Sequence, residues 1–153
     1  MIILDVDGVL TDGKIIFSSD GKEYRNFHAH DGFGISRAQS LGIKFAVISG
    51  KASKATEFRI ARLGVKELHQ NHMDKVKIYR RLKAKYKLND NQVCYMGDDE
   101  FDLPLLDIVG FSAAPKNAIR TVRDQVDYVA KKKGGYGAVR EVIDMILKAK
   151  QLL

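Results

Sequence analysis

Only one cysteine, Cys94, occurs among the 153 residues, so no disulfide can form within the chain. That usage fits a reducing cytoplasm. Its setting, Val93-Cys94-Tyr95-Met96, reads as a core strand in which the thiol is inert packing. No apolar run approaches the roughly 20 residues that span a bilayer, so a membrane is not an expected partner. The opening run Met1–Leu4 is short, has no basic leader and runs straight into charge, unlike a secretory signal. Cys-x-x-Cys and His-Glu-x-x-His pairs are missing, as are helix-turn-helix and zinc-finger spacings. The basic runs Lys75–Lys87 and Lys131–Lys133 lack the interleaved exposed aromatics of a single-strand binder. The net charge of +7 is therefore read as solvated helix faces with some steering of anions, and no nucleic-acid partner is expected. Repeats, linkers and low-complexity tracts are absent too, so residues 1–153 read as a single domain.

What is present is an alternation of strand-like and helix-like segments, the pattern of a parallel sheet covered by helices. Buried strands are expected at Met1–Leu4, Ile43–Ser49 and Gln92–Met96, with outer ones at Glu67–His69, Phe111–Ala113 and Asp127–Ala130. Two extended pieces, Lys14–Ser19 and Lys22–His28, flank Ser19-Asp20-Gly21 and predict a β-hairpin over about 14–28. Helices are expected over 33–41, 53–63, 75–86, 100–108, 116–124 and 136–150. Asp74 is the N-cap of the third, and Val76, Tyr79, Leu82 and Tyr86 share its inner face. The last carries Val139, Val142, Ile143, Ile146 and Leu147 inward.

Three strands end in polar residues. Asp5 and Asp7 follow the first, Ser49-Gly50 the second, and Gly97-Asp98-Asp99 the third. In a parallel sheet those ends share one edge, where open α/β folds place their ligands. Buried carboxylates that converge repel one another unless a cation or a lysine lies among them. All-oxygen donors favour magnesium over zinc. A phosphate is that ion's natural companion, with one carboxylate able to attack phosphorus and the other to move protons. Taken singly, each element has a plainer reading: a turn at Asp5-x-Asp7, a helix cap at Ser49-Gly50, a solvated charge at Lys75, a turn at Gly97–Asp99. His28 and His30 alternate on one strand face and more often pack or touch a ligand than bind metal. Gly134-Gly135-Tyr136-Gly137 lacks the lysine-serine ending of a phosphate loop and reads as a flexible lead into the last helix.

The ordered set Asp5-x-Asp7-Gly8-Val9, Ser49-Gly50, Lys75 and Gly97-Asp98-Asp99-x-x-Asp102 resembles the haloacid dehalogenase superfamily of phosphohydrolases. The resemblance implies a three-layer Rossmann-like parallel sheet. It makes Asp5 the nucleophile, Asp7 the general acid/base, and Ser49 and Lys75 the holders of the phosphoryl group. Magnesium would be bound by Asp5, the Asp7 carbonyl and Asp98, with Asp99 assisting. Leu10–Gly13, the hairpin, Asp31-Gly32-Phe33-Gly34-Ile35 and Gly134–Glu141 are similar to the capless branch, which includes the 3-deoxy-D-manno-octulosonate 8-phosphate phosphatases. This implies a small-molecule sugar-acid phosphate as substrate, a place in lipopolysaccharide biosynthesis, and a homotetramer whose hairpins pack together. Substrate contacts would come from Asp7, His28, His30, Asp31, Gly32, Lys51, Arg59 and Lys75. His30 departs from an arginine common in the family, and Lys51 from the arginine of Ser/Thr-Gly-Arg. The alternatives are a phosphatase for a nine-carbon keto sugar acid 9-phosphate and a non-catalytic binding module of the same fold.

Overall fold

The computed structural model of the protein describes all 153 residues. Strand β1 (Ile2–Leu4) runs into a wide turn over Val6–Leu10, followed by the hairpin β2 (Ile16–Phe17) and β3 (Glu23–Tyr24). Then come α1 (Ala29–Ser40), β4 (Phe45–Ile48), α2 (Lys54–Arg62), β5 (Glu67–His69) and α3 (Lys75–Tyr86). The chain continues through β6 (Cys94–Met96), α4 (Leu103–Leu106), β7 (Phe111–Ala114), α5 (Arg120–Arg123), β8 (Tyr128–Val129) and α6 (Ala138–Ala149). Six strands form one parallel sheet in the order β5-β4-β1-β6-β7-β8.

Alternation along the strands divides the core between two faces. Ile2, Leu4, Val47 and Met96 pack with Ile35 of α1, Ile60 of α2 and Val139, Val142, Ile143 and Leu147 of α6. Ile3, Ala46, Ile48 and Tyr95 pack with Ile78, Tyr79 and Leu82 of α3, Leu105 and Leu106 of α4 and Val122 of α5. Helices on both faces of a parallel sheet make the expected three-layer Rossmann-like architecture. Cys94 is buried, and burial pushes its thiol up to about 12.

Several boundaries differ from expectation, each for a visible reason. Helix α1 begins at Ala29 rather than Phe33, because His28 caps it in extended conformation and accepts from Gly32 N at 3.2 Å. Gly32 and Gly34 weaken its helical pattern, and both abut neighbours distant in the chain: a Cβ on Gly32 would meet the Arg59 guanidinium, and one on Gly34 would lie 2.8 Å from Arg140 Cδ. Consequently His28 and His30 do not share a strand face; they flank a helix start, rings edge-on at 5.0 Å. The segment 100–108 divides into a 3₁₀ turn, Glu100–Asp102, and the short α4. Within 116–124 only Arg120–Arg123 is helical; the chain ahead of it is held across the fold, Lys116 N donating to Lys132 O at 2.9 Å and Ile119 N to Asp98 O at 3.0 Å.

Candidate active site

Register brings the strand ends together. Leu4 lies beside Val47 on one side and Met96 on the other. Asp5 N then donates to Met96 O at 3.0 Å, so Asp5 leaves the sheet level with Gly97-Asp98. Carboxylate oxygens of Asp5, Asp98 and Asp102 lie within 4.8 Å of one another. Lys75, the first residue of α3, reaches into this group with Nζ 2.8 Å from Asp5 Oδ1 and 2.6 Å from Asp102 Oδ1. The cap that starts α3 is Asp74, which accepts from Lys77 N at 3.1 Å.

The electrostatics of this group follow from burial. Burial raises the Asp5 carboxyl to about 6 against the opposing pull of Lys75. Asp98 is pushed up to about 8, first by burial and then by Asp5, Asp102 and Asp99. Burial works against the Lys75 ammonium, but Asp5 and Asp102 outweigh it and hold its pKa above the ordinary value. One lysine is thus left to balance several carboxyls in a poorly hydrated site. The all-oxygen donor set and its unbalanced charge fit a hard divalent cation such as magnesium.

Asp102 has a different position from the other two. It accepts from Lys75 Nζ, Tyr95 OH, Asp98 N (2.8 Å) and Asp99 N (3.1 Å), so its lone pairs are taken up in shaping the loop. Gly97 makes room for it, since a Cβ there would sit 2.5 Å from Asp102 Cβ. Asp99, expected to assist at the metal, instead caps the 3₁₀ turn, its side chain accepting from Glu100 N at 2.7 Å. Its expected assistance to a metal has no side-chain counterpart in the Asp5–Asp98–Asp102 group.

The turn after Asp5 is held from several directions. Thr11 Oγ accepts from Gly8 N and Gly13 N and donates to Val6 O, each at 3.3 Å. Gly8 has φ +86°, and a Cβ there would collide with Asp98 Oδ2 at 1.9 Å. Gly134 presses on the same turn, its amide donating to Asn117 Oδ1 at 2.6 Å, while Asn117 Nδ2 donates to Gly8 O at 3.3 Å. The glycine-rich stretch is therefore a packed brace of the turn rather than a flexible lead. Asp7 projects from the turn toward the hairpin, where Arg25 Nη1 lies 2.9 Å from its Oδ1.

The remaining expected residues fall into two groups. Ser49 follows β4 at the same sheet edge, its hydroxyl donating to Lys51 O at 2.9 Å and accepting from Lys51 N at 3.3 Å. Lys51 itself is exposed. Farther out, Arg59 of α2 donates to His28 O at 3.4 Å and packs over Phe27. His28 keeps a buried Nδ1 without a partner, and His30 is exposed. Asp31, expected to touch a sugar, is 1% exposed, and its Oδ1 accepts from Arg140 N at 2.7 Å in the first turn of α6. It ties two helices together and serves as the cap that Gly137 cannot provide. Tyr95, Asn117 and Arg25 have no signature in the sequence, because a lone tyrosine, asparagine or hairpin arginine carries no spacing signal. Asp102 did have one, in Gly97-Asp98-Asp99-x-x-Asp102.

Residues 62–143 match the family described as haloacid dehalogenase-like hydrolase. The chain is similar to the 3-deoxy-D-manno-octulosonate 8-phosphate phosphatase of Escherichia coli K12, at 40% identity over 97% of this chain and 79% of the relative. The crystal structure of the Yersinia pestis phosphatase of that name superposes with a TM-score of 0.96 at 40% identity, covering 98% of this chain and 81% of that one. The Moraxella catarrhalis phosphatase, solved with magnesium, phosphate and KDO, gives 0.94 at 37% identity over 97% of this chain and 85% of that one.

Proposed function

This chain belongs to the haloacid dehalogenase-like hydrolases and, within them, to the 3-deoxy-D-manno-octulosonate 8-phosphate phosphatases, and from that premise we propose how its own residues carry the reaction. The protein is a magnesium-dependent phosphatase that converts 3-deoxy-D-manno-octulosonate 8-phosphate to the free sugar acid and phosphate. The observation that carries the residue roles is the meeting of Asp5, Lys75 and Asp98 at the carboxyl ends of β1 and β6.

Asp5 is the nucleophile. Lys75 fixes one of its oxygens and leaves the other to attack phosphorus as the ester P–O bond breaks. Asp7 gives its proton to the departing sugar oxygen, then takes one from the water that cleaves the aspartyl phosphate. The Asp5 carboxylate, the Asp7 carbonyl and Asp98 are the magnesium ligands. The bound ion neutralises phosphoryl oxygens that the carboxylates would otherwise repel. Ser49 and the backbone after β4 hold a phosphoryl oxygen. His28, His30, Lys51 and Arg59 meet the sugar acid, while Asp31, tied to α6 through Arg140 N, and Gly32, packed on Arg59, brace the start of α1 that carries His28 and His30.

The reaction belongs to lipopolysaccharide biosynthesis in the cytoplasm, and no helix is long and apolar enough to cross a membrane. We assign the exposed hairpin to contacts between copies in a homotetramer. Phosphate release tests the residue roles. Activity on the octulosonate phosphate is expected with magnesium, and none with chelator or in Asp5→Asn. Full activity in that variant would remove Asp5 from its role. Faster turnover of a nine-carbon keto sugar acid 9-phosphate would move the substrate assignment.

A further inference from the structure

Arg25 stands at the base of an exposed hairpin, yet its side chain is only 4% accessible. Its Nε is 2.7 Å from Glu23 Oε1, and its Nη1 lies 2.9 Å from Asp7 Oδ1 and 3.3 Å from Thr56 Oγ. Thr56, on α2, is fully buried. The guanidinium therefore joins three separate pieces: the hairpin, the turn after β1, and a helix of the core. Nε and Nη1 hydrogen-bond Glu23 and Thr56, which fixes the guanidinium, and its permanent charge meets Asp7 Oδ1 as an ion pair. The Asp7 carboxylate is 39% exposed, and Arg25 is its one ion-pair partner. A half-exposed carboxylate without such a partner would sample several rotamers. A proton donor must instead lie within hydrogen-bond reach of one particular oxygen.

We propose that Arg25 is a positioning residue that aims Asp7 at the leaving-group oxygen, so that hairpin docking completes the acid/base arm of the site. This rests on the reading of Asp7 as the general acid/base. Arg25 touches Asp7 rather than the substrate, and its anchorage on Thr56 ties that aim to the core. Proton delivery matters when the departing group is a sugar alkoxide. It matters little for a nitrophenolate, which leaves as a stable anion.

Two substrates and four variants test this. Arg25→Met should lower kcat on the octulosonate phosphate about ten- to a hundred-fold with KM within about twofold, as expected when a proton donor is misplaced. For p-nitrophenyl phosphate, kcat/KM reports only events up to departure of the phenolate, and it should stay within about threefold of the wild type. Arg25→Lys should recover part of the lost kcat. Thr56→Val, which keeps the charge but loosens the anchor, should show a smaller loss of the same pattern even if Arg25→Met fails to fold. An unchanged kcat in Arg25→Met overturns the proposal, as does an unchanged kcat in Thr56→Val where Arg25→Met does not fold. So does a loss confined to KM, which marks a substrate contact, or an equal loss on both substrates, which marks a fold brace. Asp7→Asn distinguishes the two levels. If it retains full turnover of the octulosonate phosphate, the acid/base reading itself fails. If it is inactive while Arg25→Met is normal, only the role of Arg25 fails.

Discussion

In the metal-free protein, Asp5 and Asp98 keep their protons to higher pH than in the unfolded chain. Burial lifts Asp5 to about 6 and Asp98 to about 8, from an ordinary 3.8 for each. For such groups the stabilising contribution is fully present below the unfolded value and is lost as pH rises through the folded one. Glu67 behaves oppositely: Lys85, Tyr86 and His69 overcome its burial and hold it down to about 2, so its contribution disappears only in strong acid. Between pH 5 and pH 8 the metal-free protein should therefore lose stability as Asp5 and Asp98 ionise against each other. Magnesium should cancel that loss by binding the ionised pair and displacing its protons. At a hundredfold excess over its Kd, the ion is worth about 2.7 kcal/mol, on the order of 5–10 °C in Tm for a chain of this size. The measurement is thermal unfolding at pH 5 and pH 8, with magnesium or chelator. The magnesium-induced rise should be larger at pH 8, and should shrink in Asp98→Asn. Equal rises at both pH values would contradict this account of the carboxylates.

Element by element, what could be read in the sequence was what periodicity and strand ends encode. Helix α3 runs over the expected 75–86 with Asp74 as its cap, and β5 falls at Glu67–His69, because apolar spacing and capping chemistry are local properties. Asp5 and Asp98 are identifiable because charge at the end of an apolar run contradicts the run itself, whereas Lys75 is singled out only by the family resemblance. The start of α1 was hidden because Gly32 and Gly34 answer to neighbours distant in the chain, Arg59 and Arg140. The role of Gly134 was hidden in the same way. A Cβ on Gly134 would lie 1.7 Å from Gly8 O, and backbone cannot rotate aside as a side chain does. Gly134→Ala should therefore displace the turn between Asp5 and Gly8. A cost of about 1–3 kcal/mol is expected from overpacking, with a fall in turnover that exceeds what the stability loss explains. Gly64→Ala is the control. Gly64 has φ +69° with nothing within 4 Å of an added Cβ, so it should cost about 1–2 kcal/mol and leave kcat unchanged. Denaturant unfolding and kcat on both variants decide it, and normal turnover in Gly134→Ala would show that the brace is not needed.

At the scale of the whole molecule, the catalytic edge of the sheet is built from one chain, but the hairpin beside it is not self-sufficient. Its ladder has only two residue pairs, Ile16 with Tyr24 and Phe17 with Glu23. A two-stranded ribbon of that size is marginal in water. It nevertheless presents Ile15, Phe17 and Tyr24 at 60%, 63% and 52% exposure. Burying each such side chain is worth about 1.5–3 kcal/mol, so covering the ribbon with other copies removes its largest liability. Arg25 fixes the hairpin base to the turn that carries Asp7, so what steadies the ribbon also bears on the acid/base arm. Assembly and turnover should therefore change together. The wild-type chain should sediment at about four times its 17.2 kDa mass. Ile15→Asp with Phe17→Asp should sediment as a monomer that keeps its fold by circular dichroism but turns over the octulosonate phosphate more slowly. A wild-type chain that sediments as a monomer across micromolar concentrations would end the tetramer assignment. A monomeric variant with full turnover would separate assembly from the site.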